Sequence, residues 1–218
     1  MRVLMRFQKN DEVKYISHLD MQRLFQRALR RAKLPCAYSQ GFNPHLLISF
    51  AAALPVGVCS ECEYVEFQLE KYVHPLECMK RLNEVLPTGV KVVNAIEPKD
   101  NYPNVGSVII LAEYTLTPQT KGYYSAVLSA ILAKDTIEIE KKTKKGMAMV
   151  NVRPMIHRLS QVDGNIKATL SCSNSENLRA DKLQEILESE GIKIENACRN
   201  TIFILNNNNI EEPMGATP

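Results

Sequence analysis

In "SHLDMQRLFQRALRRAKLP" (Ser17–Pro35), Leu19, Leu24, Phe25, Ala28 and Ala32 recur at helical spacing. That spacing predicts an amphipathic helix from about His18 to Lys33, with Pro35 ending the run. Ser17 is placed to cap it, and Asp20 lies near the positive end of the helix dipole. The flanks have a different period. "RVLMRFQ" (Arg2–Gln8) precedes the helix as a strand, and "LLISFAA" (Leu46–Ala52) follows it as another. In "EYVEFQLE" (Glu63–Glu70), Val65, Phe67 and Leu69 alternate with Tyr64, Glu66 and Gln68, as a half-buried strand requires. "PLECMKRLNEVL" (Pro75–Leu86) is a second amphipathic helix, with Leu76, Met79, Leu82, Val85 and Leu86 inward, and "GVKVVNAI" (Gly89–Ile96) is a fourth strand. The order β-α-β-β-α-β is that of the ferredoxin-like split βαβ motif.

"PKDNYPN" (Pro98–Asn104) reads as a linker, and beyond it the order recurs. "SVIILAEYTL", "TIEIEKK", "NIKATLSCS" and "NTIFIL" are the expected strands, and "GYYSAVLSAILA" and "RADKLQEILESEG" the expected helices. The expected fold is therefore α+β, a tandem of two ferredoxin-like units over residues 1–98 and 105–206. A basic insert at 141–164 lengthens the second unit, and the polar segment 207–218 is expected to lack order.

The chain of 218 residues is 45% hydrophobic and 23% charged, ordinary globular usage that suits one large or two small domains. It has no apolar run of membrane-spanning length, and "MRVLMRFQKN" lacks the features of a secretion signal, so a cytoplasmic protein without membrane contact is expected. The six cysteines are scattered and are expected to be unpaired. Cys59 and Cys62 form a C-x-x-C with no second ligand pair, so no metal site is expected.

The net charge of +3 conceals an uneven distribution. Residues 1–50 carry nine Lys or Arg against three acids, and residues 141–160 carry six basic residues and no acid. Two such segments on a mildly acidic body fit a local anionic partner, or else are solvated faces. Arg23, Arg27 and Arg30, at i, i+4 and i+7, fall on one helix face, and Arg31 and Lys33 widen it. Guanidinium groups fork onto phosphate oxygens. "SQGFNPH" (Ser39–His45) follows as a turn that offers Gln40, Asn43 and His45 as donors and acceptors and Phe42 as a stacking ring, or as a packed turn with Phe42 buried. In the insert, Lys144, Lys145 and Arg153 are candidates to track a nucleic-acid backbone, and Arg153-Pro154 with His157-Arg158 reads as a second polar patch or an inter-domain contact. For catalysis the candidates are His18, Asp20 and His45. No nucleophile triad, phosphate-cradling glycine loop or cofactor fingerprint accompanies them.

The stretch from Tyr15 to Leu69 resembles the opening of the bacterial radical-SAM-associated family (DUF2344). It is carried by "SHLD", "YSQGFNPH", "LPVGV" and "EY", with "VNVRPMI" as a fainter later match. The resemblance implies that the chain apart from its tail is a family member. It also implies a radical-SAM protein as partner and a setting around RNA or the ribosome. The chain has no C-x-x-x-C-x-x-C, so the iron–sulfur cluster and S-adenosylmethionine would belong to that partner and no cofactor to this chain.

The leading expectation is an accessory protein that binds RNA or presents a substrate to the radical-SAM partner. Arg23, Arg27, Arg30 and Arg31 would hold phosphates while Gln40, Asn43 and His45 orient the RNA. The alternatives are an RNA-modifying or metal-independent RNA-cleaving enzyme, and a protein-interaction module whose arginine face docks on the radical-SAM enzyme.

Overall fold

A computed structural model describes residues 1–143 and 146–215. The first half contains β1 (Arg2–Lys9), α1 (His18–Arg31), β2 (Ile48–Phe50), β3 (Val58–Gln68), α2 (Pro75–Asn83) and β4 (Val90–Ile96). The second contains α3 (Val105–Val108), β5 (Ile109–Pro118), α4 (Ser125–Ala133), β6 (Glu138–Thr143), β7 (Gly146–Asn151), β8 (Ile156–Val162), β9 (Asn165–Ser171), α5 (Ala180–Ser189), β10 (Ile194–Asn206) and β11 (Asn209–Glu211).

The class is α+β, but the halves share one sheet. Nine strands join in the order β4-β1-β3-β10-β5-β9-β8, with β2 added to β3 and β11 to β10. Every pairing is antiparallel except that of β3 with β10, where Val58, Cys59 and Ser60 lie opposite Ala197, Cys198 and Arg199. The eleven residues of β3 make this seam possible. Its start pairs with β10, while Val65–Phe67 pair with β2 along the edge away from β1. The strands thus run β4-β1-β3-β2 in the first half and β10-β5-β9-β8 in the second, the same sequence of crossings.

Two cores follow from strand alternation. Val3, Met5 and Phe7 of β1, with Val65 and Phe67 of β3, pack against Met21, Phe25, Ala28 and Leu29 of α1 and Cys78 and Leu82 of α2. Ala112, Tyr114 and Leu116 of β5 and Ile202 and Ile204 of β10 join Leu128 and Ile131 of α4 and Leu183 and Leu187 of α5. Leu4 and Tyr64 face the opposite way from the first core and belong to the second. Segment 102–108 and residues 213–214 cover them, and the Tyr64 hydroxyl donates to the Pro213 carbonyl at 3.3 Å. This double coverage accounts for the unbroken apolar run Val3-Leu4-Met5, all fully buried.

Several expectations are corrected. "TIEIEKK" was expected as a strand of the second unit. It instead forms β6, which among the described residues pairs only with β7 in a separate two-stranded ribbon, and "IHRLSQV" of β8, inside the expected insert, pairs with β9. Burial explains the difference: Ile156 and Leu159 are buried, whereas alternation in β6 brings only Ile139 towards the core beside charged residues. In α1 the inward residues are Met21, Phe25, Ala28 and Leu29, and Leu19 is 61% exposed. In α2 Leu76 faces out and the helix ends at Asn83. Asn209–Glu211, expected within an unordered tail, form a hairpin with β10. Among the described residues no helix is long and apolar enough to cross a membrane.

Candidate functional site

Helix α1 is fixed at both ends by local chemistry. The Ser17 Oγ accepts from the Asp20 N–H at 3.2 Å and donates to its carboxylate at 2.8 Å. At the other end the Leu34 N–H reaches the Leu29 carbonyl and the Lys33 N–H reaches Arg30, a Schellman closure. Lys33 occupies the left-handed position there, with φ of 51°, so its backbone serves the helix end while its side chain is exposed. Hydrogen bonds from Ser17 and Arg23 hold the exposed Asp20 carboxyl below its usual range.

Arg23, Arg27 and Arg31 line one groove of about 590 Å³, with Ile16, Asp20, Leu24 and residues 84–87 as the remaining walls. Arg23 pairs with Asp20 at 2.9 Å, and Arg31 donates to the Val85 carbonyl at 2.9 Å. Arg27 is exposed, and among the described residues its guanidinium has no hydrogen-bond or ion-pair partner. Arg30 departs from the expected row. Its Nε points to the Tyr38 hydroxyl at 3.5 Å, which places it at the foot of the loop. The groove thus unites Arg23 and Arg27 with Arg31, and Arg30 goes with the loop.

That loop is braced and open. The Tyr38–Leu46 bridge closes its base, and the Ser39 Oγ lies 2.8 Å from His45 Nδ1 and accepts the His45 N–H at 3.0 Å. Gly41 has φ of +124°, a conformation that side chains rarely take. The turn throws Phe42 fully into solvent, at 105% of its reference exposure, between the exposed Gln40 and Asn43. The packed alternative, with Phe42 buried, is therefore not what the chain adopts. Below the loop, His45, Ser49, Gln68 and Asn104 line a groove of about 230 Å³. Glu66 is there too, but Arg2 neutralises it through two bonds of 2.9 Å.

Among the described residues, the second basic segment does not enter either groove. Arg153 donates to the Leu132 carbonyl at 2.7 and 3.0 Å and to Ile156 at 2.9 Å, so it ties the end of α4 to β8. Lys141 reaches the Asn177 carbonyl, and Arg158 lines a separate cavity of about 160 Å³ with Lys167, Ser160 and Glu113. Lys144 and Lys145 lie outside the described residues.

The catalytic candidates are dispersed. His18 is half-buried, holds Gln22 at 2.9 Å and meets the Phe50 ring edge-on. Burial pushes its imidazole below the usual range. His45 stands at the loop base and Asp20 on the far side of α1's first turn, each engaged with a neighbouring serine.

A charged cluster that sequence reasoning missed lies at the seam. The Arg199 guanidinium, 2% exposed, donates to Glu63 at 2.9 Å, to the Tyr114 hydroxyl at 3.0 Å and to the Ala53 carbonyl at 3.1 Å. Lys9, also buried, donates to the Lys14 and Ile16 carbonyls at 2.8 Å, and burial holds it below its usual range. The available signal was a charge at an inward strand position, since a buried ion needs partners. Among the described residues no three His, Cys, Asp or Glu side chains converge as metal ligands.

A comparison with curated proteins returns no match. A family model described as "Uncharacterized protein conserved in bacteria (DUF2344)" matches residues 2–180, the span that holds α1, the Ser39–His45 loop and the seam's β3, and the chain belongs to that family.

Proposed function

We propose that the protein is an accessory RNA-binding protein that grips single-stranded RNA at the Ser39–His45 loop. The carrying observation is Phe42, a fully exposed ring on a turn braced by Ser39 and His45. A bare aromatic costs solvation in the free protein and gains by stacking on a base, at about 1–3 kcal/mol per base. Gln40 and Asn43 offer hydrogen bonds to the stacked base, Tyr38 offers a second ring, and Arg30 beside it meets the phosphate. The remaining α1 arginines supply further phosphate contacts. In the same reading the two halves are tandem ferredoxin-like units joined edge to edge, the protein is cytoplasmic, and the bound RNA is presented to a radical-SAM enzyme. That partner, which would carry the iron–sulfur cluster and S-adenosylmethionine, comes from the resemblance in Tyr15–Leu69.

Filter binding of cellular RNA at low and high salt tests the proposal. Binding that weakens steeply with salt supports it. Absent or salt-insensitive binding overturns it.

One observation favours protein docking at the neighbouring groove. Its arginines share the site with Ile16, Leu24, Leu86, Pro87 and Glu84, an apolar lining with mixed charge that suits a protein surface better than a phosphate chain. On this second reading Arg27→Glu abolishes co-purification of the radical-SAM partner after nuclease treatment and leaves RNA binding at the loop in place.

A further inference from the structure

Cys59 and Cys198 lie opposite each other in the three-residue parallel ladder that joins the halves. The Cys198 thiol donates to the Arg199 carbonyl at 3.9 Å. The surroundings single out Cys59. Its sulfur approaches the Ala197 carbonyl at 3.4 Å and receives the Asn196 amide at 4.0 Å. Asn196 in turn accepts from the Lys14 ammonium at 3.3 Å. The neighbouring Cys198 thiol pulls the Cys59 thiol below its usual range, while the same proximity pushes Cys198 up. Cys36 and Cys78 go the other way, each to about 11, because burial disfavours their thiolates. Cys198 is only partly buried, so the pair has a route to solvent.

We propose that Cys59 and Cys198 are a redox pair that closes to a disulfide across the β3–β10 seam when the protein meets a peroxide. Neighbouring strands lie about 5 Å apart, inside the roughly 4.4–6.8 Å between Cα atoms that a disulfide spans. The Cys59 thiolate attacks a peroxide oxygen, the O–O bond breaks, and the departing hydroxide takes a proton to become water. Cys59 is then a sulfenic acid. The Cys198 sulfur attacks the Cys59 sulfur, the S–S bond forms, the S–O bond breaks, and the hydroxyl leaves as water with the Cys198 proton. The two thiols give up two electrons, and the peroxide is reduced to two waters. The bond formed ties the first half to the second where the ladder is three residues long. Thiol reductants reverse it by exchange.

The test is mass spectrometry of the whole chain after hydrogen peroxide, alkylation of free thiols and non-reducing digestion. The expected product is a peptide pair linked through Cys59 and Cys198, lighter by two hydrogen atoms and released by dithiothreitol. In Cys198→Ser the link is lost and Cys59 becomes trappable by a 1,3-dione that labels sulfenic acids. Peroxide that leaves both residues free for alkylation, or that joins Cys59 to any other cysteine, overturns the proposal. The wild-type experiment decides this even if a variant folds poorly.

Discussion

The surface built by α1 with its loop and the seam between β3 and β10 both pair arginine with a carboxylate, and they use it in opposite ways. Arg23 is about two-thirds exposed and pairs with a neighbour three residues away, whereas Arg199 is 2% exposed and pairs with Glu63 from the other half. An exposed ion pair is worth about 0–1 kcal/mol, because water screens both charges before and after it forms. A buried one is different. Each charge has lost its water, so removing one partner leaves the other stranded at about 3–5 kcal/mol. An exposed guanidinium therefore gives up little when it turns to a ligand, and the buried one is committed to holding the halves together.

The largest effect that would break this contrast is at the seam. Arg199→Ala is expected to lower unfolding stability by about 3–5 kcal/mol in denaturant titrations, and a paired Arg199→Met, Glu63→Leu variant to recover most of the loss. At the surface, Phe42→Ala is expected to leave stability unchanged while RNA affinity falls by about 1–3 kcal/mol. Ser17→Ala removes the cap of α1 and should cost about 1 kcal/mol in thermal unfolding. Arg27→Ala should leave stability within about 0.5 kcal/mol. If Arg27 contacts phosphate, the log–log salt slope of RNA binding falls by about 0.7. A pH series sharpens the role of His18. Burial depresses its folded pKa, so the unfolded chain binds the proton more readily. Stability contributed by neutral His18 is present above the ordinary histidine range and is lost as pH falls from that range through the depressed folded value. His18→Gln should flatten that part of the curve.

Local pattern carried the first half well. The helical period of α1 and the alternation in β3 predicted those elements, and β4 matched its expected position. Failures arose where distant residues decide. β6 read as a strand of the second unit and β8 lay inside the expected insert, yet the supply of buried partners from β9 selects β8. Ideal rotation groups Arg30 with Arg23 and Arg27, but the groove's far wall is residues 84–87, which engages Arg31 and leaves Arg30 with Tyr38. The loop's polarity and its ring were visible in "SQGFNPH", yet the choice between packed and exposed Phe42 needed the Ser39–His45 brace. Glu63 and Arg199 stand 136 residues apart, so no local window links them.

Fluorescence anisotropy of a labelled single-stranded RNA, titrated with wild-type protein, Phe42→Tyr and Phe42→Ala at one low salt concentration, tests the proposed interface most directly. Wild type and the tyrosine variant are expected to bind alike, because both present a ring, and the alanine variant to bind at least about fivefold more weakly with an unchanged melting temperature. Equal binding by all three, or no binding by wild type, would contradict the assignment of Phe42 as the stacking platform.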